Sequence, residues 1–325
     1  MKLLFVFTGG TIGSTVSGDT VSPDGGKPYL LLQKYAERHP LDFTYDTLSP
    51  LYELSENFSG EQISRILQTV SMKNGEYDGI IVTHGTDTLQ YTAAALGYTL
   101  GNDTPPVCLV GAGYPMEDAR SNAIPNLHAA VTLIRTGSAR GVFVPYKNPA
   151  DGDTLIHRAT RLAATLPFAD ALYAVDGVPY GRVNADGAFT KDPAFKEKPD
   201  ALGAPTAPAL EATAPILRVY PHPGMRYPAI PDGVRAILLE GYHSGTVNTK
   251  SAATHAFLRE ANAKDIPVFL TGATGAAAYE SIAPLAAYGV TPLLRIAPIA
   301  AFMKLWLYGG ADGELLHTPR SGDLF

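Results

Sequence analysis

The sequence predicts an α/β protein in two parts: a large N-terminal domain built on a doubly wound, mainly parallel sheet, and a smaller C-terminal parallel-sheet domain. Three observations predict it. Short continuous apolar runs alternate with helix-spaced segments through the first half of the chain, a Pro- and Ala-rich stretch interrupts them, and the alternation then resumes on a smaller scale. Strands covered on both faces read as unbroken apolar runs, and parallel neighbours need crossover helices, so this texture is that of parallel sheets. The expected division is a large domain over 1–190, a linker over 191–215 and a small domain over 216–325.

Taken in order, Leu3 to Phe7 reads as the first strand and Thr47 to Tyr52 as the second. Ile63, Ile66, Leu67 and Val70 fall at i, i+3, i+4 and i+7 behind Ser59, a good N-cap, so a helix follows. Gly79 to Val82, Val107 to Val110 and Gly141 to Val144 read as further strands, with helices through Tyr98 and over Leu127 to Ile134 between them. RVNADGAFT has the pattern of a hairpin turning at Asp186 and Gly187. KDPAFKEKPDALGAPTAPALEATAP shows no apolar period and reads as the linker. Beyond it, Ala236 to Leu239 and Val268 to Leu270 read as strands, and Lys250 to Ala263 and Ala297 to Leu307 as helices.

Composition narrows the function classes. Charged residues are 17% and hydrophobic residues 46%, the balance of a compact globular chain, and 25 basic against 31 acidic residues give −6, which argues against a nucleic-acid partner. Cys108 is the single cysteine and lies in an apolar run, so it reads as a small buried hydrophobe. The start, MKLLFVFTGG, has too short an apolar run for an export signal, no segment is apolar enough to span a bilayer, and a cytoplasmic location is expected. The eight histidines show no metal-ligand spacing, so neither metal nor other cofactor is expected.

In open parallel sheets ligands bind beyond the carboxyl ends of the strands. Four loops there are unusual: TGGTIGS, SENFSG, THGTDTL and GAGYP, each with glycines that admit a ligand to the backbone and with polar side chains. TGGTIGS meets neither nucleotide fingerprint. One helix cap explains a single such residue, but not four strand ends built alike. The alternative is a hydroxyl nucleophile with a relay and backbone donors for an oxyanion.

The pair TGGTI (Thr8 to Ile12) and HGTDT (His84 to Thr88) resembles the asparaginase/glutaminase family of amidohydrolases. SEN at Ser55 to Asn57 falls where that family holds the substrate α-carboxylate and α-amino groups, and GAGYP at Gly111 to Pro115 resembles its loop for the side-chain amide. The likeness runs to about Thr165 and, more weakly, through GYHSGT at Gly241 to Thr246. The resemblance implies Thr11 as acyl-accepting nucleophile and Thr86 as a second hydroxyl in a relay. It implies Asp87, aided by Glu56, as partner of the substrate ammonium and Ser55 as partner of its carboxylate. Gly10, Gly85 and Ala112 would complete the pocket. The reaction implied is side-chain amide hydrolysis through an acyl-enzyme, giving aspartate from asparagine. A broader glutaminase-asparaginase is the alternative, because one methylene separates the two substrates. The assembly implied is a homodimer or homotetramer, with Glu280 reaching a neighbouring subunit's site.

Two positions depart from the family pattern. Where members carry a relay lysine, the segment IHRATRLA places Arg161, which does not serve as a base and is expected at the catalytic site to order Thr86 electrostatically or pair with Asp87. Lys147, after another strand, is the alternative. No tyrosine follows TGGTI before Tyr29, which either replaces the family's lid tyrosine or simply opens a helix. His84 reads as a scaffold residue. Two rivals remain: an amino-acid sensor that has lost the relay, favoured by Arg161, and the amidotransferase relative acting on charged tRNA. The latter is expected to carry a further N-terminal module, whereas TGGTI here begins at Thr8.

Overall fold

The structure, a computed structural model, describes residues 1–9, 14–17, 20–23, 27–205, 209–273, 279–310 and 313–325, with backbone alone for 14–17, 20–23 and 27–29. The large sheet has eight strands: β1 (Lys2–Phe7), β4 (Thr44–Leu48), β5 (Gly79–Thr83), β6 (Val107–Val110), β7 (Val142–Tyr146), β8 (Thr154–Arg158), β9 (Gly181–Val183) and β10 (Phe189–Lys191). They lie in the order β10-β9-β8-β7-β6-β5-β1-β4. Pairing from β4 through β7 is parallel, and β7 to β10 is antiparallel, which gives the expected mainly parallel sheet. A two-stranded hairpin, β2 (Ser14–Ser17) with β3 (Thr20–Pro23), follows β1. The second strand of the large sheet begins and ends earlier than its apolar pattern suggests, at Thr44–Leu48, and is an edge strand with exposed side chains.

Four helices cover this sheet. α1 (Lys27–Ala36) and α4 (Ala123–Arg135) pack on the face carrying Leu3, Phe5, Ile81 and Cys108. α2 (Gly60–Lys73) and α3 (Leu89–Leu100) pack on the face carrying Leu4, Val6, Val82 and Leu109. Alternate residues of each strand thus feed different cores, as the two-residue repeat requires. Ser59 starts α2 with a full capping box: its hydroxyl accepts from Glu61 N–H, while Gln62 reaches back to Ser59 N–H.

The helix faces have a consequence at the strand ends. The β5–α3–β6 and β6–α4–β7 crossovers move across the sheet in one direction but over opposite faces, so their hands are opposite. The β1–α1–β4, β4–α2–β5 and β5–α3–β6 units share one hand. Right-handed crossovers prevail in about 98% of cases, which makes β6–α4–β7 the left-handed exception. The chain leaving β5 therefore turns to one face, while its neighbours leaving β1 and β6 turn to the other. Diverging connections of this kind are what place a crevice beside the carboxyl end of a strand in open parallel sheets, here on each side of β5.

The small sheet is all parallel, with β11 (Ile216–Val219), β12 (Ala236–Glu240), β13 (Val268–Ala273) and β14 (Thr291–Leu294) side by side in chain order. α5 (Ala252–Ala263) and the 3-10 segment Glu280–Tyr288 cover one face, with Phe257, Leu258 and Leu285 in its core. α6 (Pro298–Tyr308) covers the other face and also packs against α3, so one apolar core reaches both sheets. α7 (Gly313–His317) closes the chain before a buried terminal segment. The Pro- and Ala-rich stretch lies along the large sheet: Phe195 is buried, Glu197 pairs with Arg158 at 2.7 Å and Asp200 accepts from Asn102 N–H at 2.9 Å. Among the described residues no helix is long and apolar enough to cross a membrane.

Candidate active site

The crevices beside β5 are where the sequence-predicted residues should meet. β1 and β5 run in register up to Phe7 opposite Thr83. One step beyond, the Thr8 hydroxyl donates to the Thr83 carbonyl at 2.6 Å, and the Thr83 hydroxyl accepts from Thr8 N–H at 3.4 Å. Gly9 then continues the pairing with Glu53 at φ +98°, where a Cβ would lie 2.4 Å from the Glu53 carbonyl oxygen. Glycine is required there by both torsion and space. Gly10 and Thr11 follow directly but lie outside the described residues, so the position of the predicted nucleophile is not seen.

On β5 the chain passes from buried Thr83 into His84, which is fully buried. Its Nδ1 lies 2.8 Å from the Gly85 carbonyl, an acceptor, so Nδ1 carries the proton; Nε2 then accepts from the Thr92 hydroxyl at 2.8 Å. Burial lowers its pKa to about 4 and keeps the ring neutral. With the Phe58 ring 5.0 Å away, His84 is a scaffold between β5, α3 and the segment after β4.

The turn at 86–88 is not there to cap α3. Thr88 holds the N-cap position yet makes no side-chain cap, and its hydroxyl donates instead to the Ser55 carbonyl at 2.8 Å. That bond fixes the 3-10 turn Ser55–Asn57 against the start of α3. Ser55 is 1% exposed, and its hydroxyl has no hydrogen-bond partner among the described residues. Thr86 is half-buried, while Asp87 and Glu56 are exposed. The helix start adds unpaired N–H groups and a positive dipole end, which favour an anionic group.

The third wall comes from the loop after β6. A Cβ on Gly111 would lie 3.0 Å from the His84 carbonyl oxygen and 3.2 Å from Thr86 Cγ2, so this glycine lets the two loops touch. Ala112 is buried beside it. Asn126 on α4 pins the loop: its Nδ2 donates to the Gly111 carbonyl at 2.9 Å, and its Oδ1 accepts from Lys147 N–H at 2.7 Å. Asn122 accepts from Gly113 N–H at 3.0 Å. The structure thus brings Ser55, Gly85, Thr86, Asp87 and Ala112 to one end of the sheet, with Glu56 adjoining Ser55.

Arg161 is placed otherwise than the sequence suggested. Its side chain is buried, with Nε donating to the Gly322 carbonyl at 2.7 Å, one terminal nitrogen on Asp176 at 3.2 Å and the other on the Lys196 carbonyl. Phe195 lies 4.4 Å from the guanidinium. Among the described residues it makes no hydrogen bond to Thr86 or Asp87; a guanidinium with this many fixed acceptors is a structural tie to the chain terminus. Lys147 is likewise engaged, its ammonium donating to the Asp151 and Gly152 carbonyls. Tyr29 lies within α1, and its side chain is outside the described residues. Glu280 is exposed at the start of its 3-10 segment. Cys108 is fully buried in an apolar strand that pushes its thiol pKa up, leaving it inert.

Sequence reading missed Thr8, Gln90 and Asn126. Gln90 and Asn126 carry a signal of their own: each is an amide inside an otherwise apolar helical stretch, LQYTAAALGY and AIPNLHAAV.

Comparison with known proteins finds relatives by sequence and by fold. The family model described as "Asparaginase, N-terminal" matches residues 2–193. A glutamyl-tRNA(Gln) amidotransferase subunit of Pyrococcus furiosus is 28% identical over 319 residues, spanning 93% of this chain and 70% of that protein. L-asparaginase 1 of Escherichia coli K12 is 33% identical over 130 residues, 39% of this chain and 38% of that one. Among solved structures, the thermostable L-asparaginase of Thermococcus kodakarensis superposes with a TM-score of 0.81 at 25% identity, covering 100% of this chain and 99% of that one. The L-asparaginase I of Vibrio cholerae, at 21% identity and a TM-score of 0.76, shares the fold.

Proposed function

From the premise that this chain belongs to the asparaginase family, we propose that it is an L-asparaginase, hydrolysing the side-chain amide of L-asparagine to L-aspartate and ammonia. The observation that carries the reading is the convergence on the β5 strand end. Thr8–Thr83 and Thr88–Ser55 hydrogen bonds hold the β1, β4 and β5 ends together, and Gly111 seats the β6 loop on Thr86.

In this reading the Thr11 hydroxyl attacks the side-chain carbonyl carbon, and its proton passes by way of Thr86 to the departing nitrogen, which leaves as ammonia. Water then adds to the acyl-threonine ester and passes a proton by way of Thr86 to the Thr11 oxygen as the Thr11–acyl bond breaks, so aspartate leaves and the hydroxyl is restored. Asp87 and Glu56 hold the substrate ammonium. The Ser55 hydroxyl, unpartnered among the described residues, takes its α-carboxylate. Gly10, Gly85 and Ala112 shape the pocket, and backbone N–H groups near Thr11 and Thr86 hold the oxyanion. The relay works without Arg161, whose guanidinium is tied to Asp176 and the chain terminus. The proposal needs no cofactor, and it includes a cytoplasmic homodimer or homotetramer with the division at 191–215.

The test is ammonia release from asparagine and glutamine by the purified chain, with calorimetric binding alongside. Release from asparagine supports the proposal; binding without turnover overturns it in favour of a sensor. A second reading has its own support, since several matched relatives are components of glutamyl-tRNA(Gln) amidotransferases. Turnover of glutamine that depends on added charged tRNA would select that reading. Comparable turnover of both free amino acids would select a glutaminase-asparaginase.

A further inference from the structure

Gln90 stands in the first turn of α3 and takes no part in the chemistry proposed above. It is 2% exposed on a helix that also buries the apolar Leu89, Ala93, Ala94 and Leu96, and whose buried Thr92 is satisfied by His84. Its Nε2 donates at 3.4 Å to the backbone carbonyl of Asp87 and at 3.4 Å to the hydroxyl of Thr165. Its Oε1 is buried and has no partner among the described residues.

Thr165 lies just beyond a short antiparallel ladder in which Ala163 N–H donates to the Tyr173 carbonyl and Val175 N–H to the Arg161 carbonyl. The Gln90 amide is therefore wedged between this ladder and the 86–88 turn. A buried amide oxygen without a donor carries a desolvation penalty that an apolar side chain of the same shape avoids. Stability of α3 alone gives no reason for glutamine at this position.

We propose that Gln90 is a positioning residue for the site: its amide clasps the Asp87 carbonyl and braces it against Thr165, fixing the turn that presents Thr86 and Asp87. The functional part of this inference rests on the amidohydrolase reading. The exposed Asp87 carboxylate points where its backbone directs it, and misplacement of such a turn by about 1 Å can cost on the order of 100-fold in rate. Arg161 and Lys147, the two cations weighed for the relay-lysine position, are bonded elsewhere and do not brace this turn among the described residues.

The experiment compares the full chain with Gln90→Met and Gln90→Glu. It reads amide hydrogen exchange over residues 86–92, melting temperature, and KM and kcat for asparagine. Methionine removes both donors and the unpartnered oxygen. The expected result is an unchanged or higher melting temperature, about tenfold faster exchange in the turn, and KM raised about tenfold with kcat changed less. Glutamate, an acceptor facing the Asp87 carbonyl, should show the larger KM effect. Exchange and KM within about twofold of the parent overturn the proposal, as does a lowered melting temperature with KM unchanged, the mark of a merely structural residue. If the parent neither binds nor hydrolyses amino-acid amides, the functional reading fails, and the exchange arm alone still decides the clasp.

Discussion

The carboxyl edges of the two sheets are built from the same kinds of residue and behave differently. In the large sheet, strand order turns back at β1 and β5, and the left-handed β6–α4–β7 unit sends the next loop to the opposite face as well. The loops part to opposite faces, and at this end the buried Ser55 hydroxyl has no hydrogen-bond partner among the described residues. In the small sheet the strands follow in sequence, β11-β12-β13-β14. Its loops close on each other: a Cβ on Gly245, at φ +68°, would lie 2.8 Å from Gly272 C and from Ala273 N, and one on Gly241 would lie 2.8 Å from the Thr271 carbonyl oxygen. Among the described residues, glycines let neighbouring loops touch at both edges. Connection order, more than residue type, therefore separates the two edges, and in open parallel sheets ligands bind where strand order reverses.

The largest expected effect separates the two edges chemically. Thr86→Ala should lower kcat by roughly 1,000-fold or more, as loss of a group acting in a relay does. Tyr220→Ala, an exposed side chain just beyond β11, should leave steady-state turnover within about twofold. Equal effects would erase the distinction.

Next comes the joint between the parts. Lys304 of α6 and Asp323 form a fully buried pair at 2.6 Å, with Asp323 also accepting from the Tyr98 hydroxyl of α3 at 3.0 Å. Lys304→Met strands a buried carboxylate and should cost about 3–5 kcal/mol in denaturant unfolding. Turnover per folded molecule should survive, because the joint lies apart from both edges.

The pH dependence follows from two buried histidines. Burial lowers the pKa of His84 and of His157 to about 4. The unfolded chain takes up these protons near pH 6.5 while the folded one refuses them until about pH 4, so the folded state loses stability as pH falls through that window. Each histidine accounts for up to roughly 3 kcal/mol, all of it present above pH 6.5. Unfolding midpoints from pH 7 to 4 test this, and His84→Gln should flatten the profile.

The smallest effects compare two glycines. Gly245→Ala should cost about 1–3 kcal/mol of stability and spare kcat. Gly9→Ala, whose Cβ would meet the Glu53 carbonyl oxygen at 2.4 Å, should cost as much stability and also depress turnover, since Thr11 follows two residues later.

Much of the fold was legible because local rules and packing agree. Ser59 begins α2 with its capping box, and Asp186 and Gly187 turn the β9–β10 hairpin with Gly187 at φ +79°. The apolar runs of the large sheet are strands except the second, Thr47 to Tyr52, whose strand is Thr44–Leu48. The strand-end loops stand out in the sequence because their chemistry exceeds what caps and turns need. Arg161 was misjudged, since sequence spacing does not say which way a residue in a 3-10 turn points, and its acceptors at Asp176, Lys196 and Gly322 are remote in sequence. Residues 191–215 lack apolar periodicity, so single anchors such as Phe195 and Asp200 left no pattern. The left-handed crossover depends on which face α4 takes, a choice made by tertiary packing.

One measurement reaches the central claim directly. The chain is mixed with asparagine, quenched in acid during turnover and mapped by peptide mass spectrometry, with Thr11→Ala in parallel. The account predicts an aspartyl ester on the peptide containing Thr11, and neither adduct nor ammonia from the variant. An adduct on another peptide, or undiminished ammonia release by Thr11→Ala, would contradict it.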